Sequence, residues 1–436
     1  MQEILNRYLN TKRVSIWGMG YLGYTMLLRL QSKGFYADVY DTNPERLNLL
    51  DSGKYPIKEQ KIVWSSKGEV PDIDISKICI VNSCEQLLTN SIHIISTPSF
   101  SESGDANRLS EIAECFIINK EKVSDHVVIF QSSGTPGNID KLFIHPLRSN
   151  KVKCFYATAF RTDWTLEEFF YSTNQQVVSG ECPKSILMVK SFLNIIDVDH
   201  VELSSIMEAE IYECARKSLH YSIEAFVNQI MLSYPETNIR KLTNLLNKIQ
   251  IEVTNPSIGA IGYKYASAVT YLLEGSTFPE RFTIIREADS ANISSILFYA
   301  DIIPHFITDY VVILGVCESE NQKNISFSPS LLIAERLLKN GNKVFIHDPF
   351  FTESEINDLL PGATYIEELS PFTKESCILA MTGHRVYRYL TQEDLERLNI
   401  FSAKLVIDNP GLWDKYRFSD KTLYHIPGDG KFGLLG

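Results

Sequence analysis

Three glycines at Gly18, Gly20 and Gly23, followed by a carboxylate at Asp41, are the first residues in this 436-residue sequence whose spacing points to chemistry. In a Gly-x-Gly-x-x-Gly pattern the first glycine permits a tight turn, the second lets a diphosphate approach the backbone, and the third lets helix and strand pack closely. Tyr21 and Leu22, between the last two glycines, open a stretch of helical spacing whose N-terminal N–H groups would face the phosphates. Asp41 comes 18 residues after Gly23 and closes the next apolar run. A carboxylate there accepts from a ribose 2′-hydroxyl and repels a 2′-phosphate. The expected ligand is therefore NAD rather than NADP; the alternative is a tight turn that holds nothing.

Such a turn needs a strand before it and a helix after it. Arg13-Val-Ser-Ile-Trp17 is a short buried-strand pattern, Tyr24-Thr-Met-Leu-Leu-Arg-Leu30 has helical spacing, and Tyr36-Ala-Asp-Val-Tyr40 is a second strand. Ile92-His-Ile-Ile95, Val127-Val-Ile-Phe130 and Cys154-Phe-Tyr-Ala157 alternate with helical stretches, which predicts a mostly parallel sheet covered on both faces. From Ser204 to Met231 the chain is Glu-rich, apolar at helical intervals and without Gly or Pro, and a further helix-rich region runs to Ile303. A second strand, turn and helix begin at Tyr310-Val-Val-Ile-Leu-Gly315, with Ser328-Pro329 opening a helix through Leu338 and Val344-Phe-Ile-His347 as the next strand. The expected fold is α/β, with two doubly wound Rossmann-like domains joined by a long central helix and helical region. The boundaries read as 1–200 for the NAD-binding domain, 201–305 for the central region and 306–436 for the C-terminal domain.

Composition narrows the class. A chain of 436 residues exceeds what one hydrophobic core supports, and 44% hydrophobic with 22% charged residues is ordinary for a globular protein. The formal charge of −11 disfavours a nucleic-acid polymer as partner, because phosphate binding needs clustered Lys and Arg. The longest apolar runs are too short to cross a bilayer and the N-terminus lacks a signal-peptide pattern, so a cytoplasmic protein with no membrane partner is expected. Eight cysteines, at 79, 84, 115, 154, 182, 214, 317 and 377, form no CxxC pair. They read as reduced and mostly buried thiols, with no metal site.

Gly18-Met-Gly-Tyr-Leu-Gly23 also resembles the Gly-x-Gly-Tyr-Val-Gly opening of the UDP-glucose/GDP-mannose dehydrogenase family, and the likeness continues in order along the chain. Gly53-Lys-Tyr-Pro-Ile-Lys-Glu59, Ser96-Thr-Pro98, Gln131-Ser-Ser-Gly-Thr-Pro-Gly137, Glu208-Ala-Glu210 and Phe226-Val-Asn228 are similar to successive family motifs. Asn292, Gly315 with Ser328-Pro329, Asp348-Pro349 and Thr382-Gly-His-Arg-Val-Tyr387 match C-terminal landmarks. The resemblance implies that Ser96, Thr97, Pro98 and Ser132 border the cofactor. It also implies a nucleotide-sugar substrate and a homodimer built on the central helices.

Such enzymes oxidise a sugar C6 alcohol to a carboxylate in two hydride transfers through a thiohemiacetal. That needs a thiolate, a lysine and asparagine for oxyanion charge, and a glutamate for protons and water. Here Ile258-Gly-Ala-Ile-Gly-Tyr-Lys-Tyr-Ala-Ser267 stands where the family has its cysteine loop, and it contains none; Tyr265 falls nearest the nucleophile position. The helical lysine and asparagine fall on Glu213 and Lys217, the glutamate on Phe160, and two cations expected in the C-terminal domain on Ser319 and Ser326.

Glu213, Lys217 and His220 lie at i, i+4 and i+7, one face of a helix. Because the resemblance makes this the catalytic helix, Lys217 or His220 is expected to take the proton in a single alcohol-to-carbonyl oxidation. The alternative is a surface Glu–Lys pair beside a satisfied histidine. Tyr263, Lys264 and Tyr265 read as loop residues, and His384 either faces a sugar or caps a strand end. The expectation is an NAD-dependent oxidoreductase stopping after one hydride transfer. The alternatives are a non-catalytic NAD- or partner-binding homologue and an epimerase that recycles its NAD.

Overall fold

Val14, Ser15, Ile16 and Trp17 are all buried, so β1 (Arg13–Trp17) lies between two covered faces and can only be an interior strand. The computed structural model describes residues 11–55, 72–97, 108–132, 134–161, 175–259, 264–306, 309–321, 323, 325 and 328–431; of 264–266 it describes the backbone alone. The chain divides into two compact units, Met1–Arg216 with Thr270–Pro279, and Lys217–Val269 with Glu280–Gly436. The residues of the expected central region are thus shared between the units.

In the first unit β1 is followed by α1 (Tyr21–Ser32), β2 (Tyr36–Tyr40), α2 (Pro44–Asp51), β3 (Ile78–Ile80), α3 (Cys84–Leu87), β4 (Ile92–Ile95) and α4 (Arg108–Ile118). Then come β5 (His126–Phe130), α5 (His145–Ser149), β6 (Cys154–Arg161), β7 (Gln176–Gly180), α6 (Pro183–Ile195) and β8 (His200–Glu202). The strand order is β3-β2-β1-β4-β5-β6-β7-β8, parallel except where β7 runs against β6. Strand alternation puts Val14 and Ile16 in one apolar cluster with Leu27 and Val39, and Trp17 in another with Phe116, Phe130 and Phe143.

Helix α7 (Ile206–Ser233) is the expected long central helix; the unit division falls within it, between Arg216 and Lys217. It is followed by α8 (Ile239–Lys248), α9 (Lys264–Gly275) and α10 (Thr283–Ile302). Lys264 and Tyr265 stand in α9 and not in a loop, because no Gly or Pro interrupts the chain from Lys264 to Glu274. Tyr263 lies outside the described residues. The second unit then builds β9 (Tyr310–Leu314), α11 (Pro329–Lys339), β10 (Lys343–His347), α12 (Glu353–Leu359), β11 (Thr364–Tyr365) and β12 (Cys377–Ala380). It closes with α13 (Arg385–Arg388), α14 (Gln392–Arg397), β13 (Leu405–Asp408) and β14 (Leu423–His425). Its all-parallel order, β11-β10-β9-β12-β13-β14, repeats that of the first six strands of unit 1. Two Rossmann-like sheets with a long helix between them in sequence are what the alternating pattern predicted. The antiparallel β7 left no such trace.

Candidate functional site

At the end of β1 the chain turns through Gly18, whose φ of +93° excludes most side chains. The Gly18 N–H donates to Tyr40 O at 2.8 Å, and a Cβ on Gly18 would lie 2.7 Å from Thr97 Cγ2. A Cβ on Gly23 would meet Gly18 O at 1.9 Å, so the third glycine is what lets α1 close on the turn. Above Gly20 there is space: the nearest heavy atom to a Cβ there is Arg46 Nη1, at 3.9 Å. Gly20 caps α1 without a side-chain hydrogen bond, and no acidic residue lies in the first turn at Tyr21, Leu22 and Gly23. That end of the helix therefore carries its partial positive charge with no acidic side chain of its own to answer it.

Asp41 is locked into this turn. Its Oδ2 accepts the Met19 N–H at 2.7 Å, its Oδ1 accepts the Asn43 N–H at 2.8 Å, and Arg46 Nη1 stands 3.4 Å from Oδ2. Each oxygen keeps acceptor capacity after these bonds. At the C-terminal ends of β4 and β5, Ser96 Oγ donates to Gln131 Oε1 at 3.1 Å, with the half-buried Ser132 next in the chain. Thr97 Oγ1 and Gln131 Nε2 are buried and find no hydrogen-bond partner among the described residues. Such orphans are costly and call for a partner that these residues do not supply. Pro98 lies outside the described residues.

Two residues at this edge, Gln131 and Arg161, were not among the site residues expected from the sequence. Gln131 directly follows β5, and Arg161 is the buried last residue of β6. Arg161 Nη1 donates to Thr25 Oγ1 at 2.6 Å and its guanidinium lies 5.8 Å from the Tyr21 ring centre. A polar residue closing an apolar run at the carboxyl end of a parallel strand was the available signal, since ligands of such sheets bind there.

On α7 the three candidate residues have different surroundings. Glu213 is buried and pairs with Arg216 at 3.0 Å, so it is not a surface carboxylate. Lys217 is half-buried, and His220 Nε2 stands 3.7 Å from the buried carboxylate of Glu224. One turn earlier Glu210 accepts the N–H groups of Gly137 at 2.9 Å and Ile139 at 3.2 Å, holding the loop that follows Ser132.

Burial pushes the Glu210 carboxyl up to about 7 from 4.5, the two backbone N–H groups opposing it. The folded chain keeps this proton between pH 4.5 and 7 where the unfolded chain has lost it, so its contribution to stability falls as pH rises through that window. Glu210→Gln removes the titration. We expect the stability difference between wild type and Glu210→Gln to shift by about 2.5 kcal/mol towards the variant from pH 5 to pH 8. Urea unfolding at the two pH values measures it, and the buried pair His93–His126, common to both proteins, cancels in the difference.

Unit 2 repeats the first glycine of the turn and the carboxylate that holds it. Gly315 has φ +91°, its N–H donates to His347 O at 2.9 Å, and the Val316 N–H donates to Asp348 Oδ2 at 2.7 Å. A Cβ on Gly315 would lie 2.5 Å from Thr382 Cβ, as one on Gly18 would crowd Thr97. The difference is His384, which is buried with Nε2 3.2 Å from Asp348 Oδ2 while its Nδ1 accepts the Asn321 N–H at 2.9 Å. It is a packed core residue that covers the carboxylate from within. Cys317, Asp348 and His384 hold donor atoms within 4.8 Å of one another. Nδ1 already accepts and Nε2 carries the proton given to Asp348, so this histidine presents no lone pair to a metal.

Residues 312–415, which carry this second turn, match the family model described as UDP-glucose/GDP-mannose dehydrogenase family, UDP binding domain. Residues 312–415 are thus similar to that domain. Full-length relatives of the same nucleotide-sugar dehydrogenase type extend the likeness over both units. A UDP-N-acetyl-D-mannosamine dehydrogenase of Methanococcus aeolicus is 21% identical over 97% of this chain and 97% of its own. One from Pyrococcus horikoshii is 22% identical over 81% of this chain and 88% of its own. Among solved structures, the UDP-D-ManNAc dehydrogenase from Pyrococcus horikoshii superposes with a TM-score of 0.74 at 18% identity, covering 96% of this chain and 99% of that one. A UDP-glucose dehydrogenase from Pyrobaculum islandicum gives 0.76 at 16%, covering 95% and 96%. The resemblance read from the collinear motifs is thus present, and the fold is that of nucleotide-sugar dehydrogenases.

Proposed function

We propose that this chain is an NAD-dependent oxidoreductase acting on the alcohol of a nucleotide-linked sugar, and that it stops after one hydride transfer. The observation that carries the cofactor is the Gly18–Gly23 turn with Asp41, faced by Thr97 Oγ1 and Gln131 Nε2, two buried polar atoms in want of a partner. These residues fit a dinucleotide. The backbone at Gly20 and the α1 N-terminus would receive the diphosphate, Asp41 the ribose hydroxyls, and Ser96, Thr97, Pro98 and Ser132 would border the nicotinamide. When bound, NAD supplies the hydride acceptor. Lys217 or His220, on the helical face that Glu213 shares in the sequence, takes the hydroxyl proton. The stretch Ile258–Ser267 has no cysteine, so nothing there captures the carbonyl product for a second oxidation.

UDP-sugars, the N-acetylated ones first, are the substrates to test, because the relatives carry such names. One NADH per molecule oxidised and a carbonyl product are expected; two NADH and a carboxylate would refute the single transfer. Lys217→Met should lower turnover roughly 100-fold or more with NAD affinity unchanged. A non-catalytic NAD-binding homologue is the second reading, favoured by the buried Phe160 where the family has a glutamate. It gains if NAD raises the thermal midpoint but no sugar nucleotide changes it further.

A homodimer on the central helix is supported by Tyr212, Leu219 and Phe226, spaced by seven along α7 and exposed, the last two by 64% and 59%. Light scattering after size exclusion tests it. Among the described residues no helix is long and apolar enough to cross a membrane.

A further inference from the structure

Trp17 at the end of β1, His93 in β4 and His126 at the start of β5 form a hydrogen-bond chain across one face of the first sheet. The Trp17 Nε1–H donates to His93 Nδ1 at 3.3 Å, and His93 Nε2 stands 2.9 Å from His126 Nδ1. The imidazole rings stack with centres 5.1 Å apart, and Phe116 of α4 meets His93 edge-on at 4.9 Å. An indole N–H can only donate, so His93 Nδ1 must be bare and its proton must sit on Nε2. That N–H in turn requires a bare Nδ1 on His126, whose own proton therefore lies on Nε2. The chain has one polarity, fixed by Trp17, and both rings are neutral in it. From this geometry we propose that Trp17, His93 and His126 form an acid-sensitive latch, in which one added proton breaks the chain and loosens the strand end that leads into Gly18, independently of the cofactor reading.

Protonation of His126 adds an N–H at Nδ1, facing the His93 Nε2–H. His93 can answer it only by carrying its proton on Nδ1, where it faces the indole N–H. Either way two donors meet, and one of the two links opens. His126 is 7% exposed and His93 0%, so the proton arrives at His126. The cluster that holds Trp17 and Phe116 also contains Cys115 of α4 and Cys154 and Tyr156 of β6, with Tyr40 and Cys84 at its border. Burial pushes Cys115, Cys154 and Tyr156 up, so they stay neutral. On β2, Asp38 shares this face but is tied to Arg13 at 3.0 Å and to Asn90 at 2.7 Å. Glu111 and Glu114 of α4, Lys122 and Lys153 are exposed. Asp125, exposed beside His126, favours the charged ring, but burial outweighs it and holds His126 down at about 4, with the fully buried His93 well below its usual value. The unfolded chain takes up both protons below pH 6.5 and the folded chain does not, so the fold loses stability as pH falls from 6.5 towards 4.

The test compares the full chain with two variants. His126→Asn keeps an acceptor for the His93 N–H in its Oδ1 but does not titrate, and Trp17→Phe removes the donor that fixes the polarity. Urea unfolding at pH 7 and pH 5 is expected to show the unfolding constant of wild type rising about 20-fold more than that of His126→Asn; Glu210, common to both, cancels. Trp17→Phe should lose less stability than wild type over the same interval, because no donor then faces His93 Nδ1 and the folded pair accepts a proton more readily. With 15N-labelled tryptophan, the four indole N–H signals are followed from pH 7 to pH 4, and the one missing from Trp17→Phe belongs to Trp17. It should move with pH in wild type and hold still in His126→Asn. Circular dichroism establishes that both variants fold. Equal pH dependence of wild type and His126→Asn, a Trp17 signal indifferent to pH, or a Trp17→Phe protein that loses as much stability as wild type would overturn the proposal.

Discussion

Gly23→Ala is expected to cost about 2 to 3 kcal/mol of NAD affinity, a loss of about 30- to 150-fold. The added methyl would lie 1.9 Å from Gly18 O, a backbone atom that has no rotamer to escape into. Helix α1 must move off the turn, taking its N-terminal N–H groups away from the diphosphate. Because Gly23 is buried against Ile16 as well, part of the cost appears as lost stability of unit 1. Gly20→Ala separates the two effects. Gly20 has φ −72° in extended backbone and its Cβ would meet nothing closer than 3.9 Å, so the fold should be unchanged. Its methyl would still occupy the space kept for the ligand, and NAD affinity should fall while the thermal midpoint stays. Calorimetric titration and thermal unfolding of both variants measure this; a Gly20→Ala protein binding NAD like wild type would show that the turn holds no dinucleotide.

The second large effect is in the other unit. Asp348→Asn is expected to destabilise it by about 3 to 5 kcal/mol. Asp348 Oδ2 receives the N–H groups of Val316 at 2.7 Å, Cys317 at 3.2 Å and His384 at 3.2 Å, and Oδ1 receives that of Phe350 at 3.0 Å. An amide turns one acceptor into a donor aimed at another donor, at a side chain buried from solvent. Burial alone would raise the Asp348 carboxyl, yet the His384 N–H and the backbone donors hold it below the ordinary carboxylate range. The stabilisation is therefore present above the unfolded value and is lost as pH falls through the folded one. Chemical unfolding followed by circular dichroism at neutral pH checks the magnitude, and a change below about 1 kcal/mol would sink the account. Asp41→Asn in unit 1 is the matching comparison, because Asp41 also has the flanking Arg46.

Much of the glycine turn and its carboxylate was legible. A turn at φ +93°, a helix that must touch a strand and a carboxylate at the next strand end each demand a residue type, and they demand it at a fixed interval along the chain. The order of strands and helices followed from periodicity for the same reason. The candidate α7 residues were legible as one helical face, but not that Glu213 is buried on Arg216 or that Glu210, one turn away, holds the loop after Ser132. His384 was read as a residue with a choice of roles, and packing made it the cover of Asp348.

What the amino-acid order determined by itself was backbone geometry: where glycine is required, where a strand stops, where a helix begins and which sheet order can follow. Tertiary structure alone decided which distant side chains meet. Gly315 and Asp348 reproduce the turn of Gly18 and Asp41, and Arg161 reaches Thr25 across 136 positions. Steric and hydrogen-bonding demands on the backbone act over a few bonds and leave their mark in the spacing of residues. Contact between side chains far apart in the chain is set by how layers pack, and packing accepts many sequences, so it leaves no spacing to read.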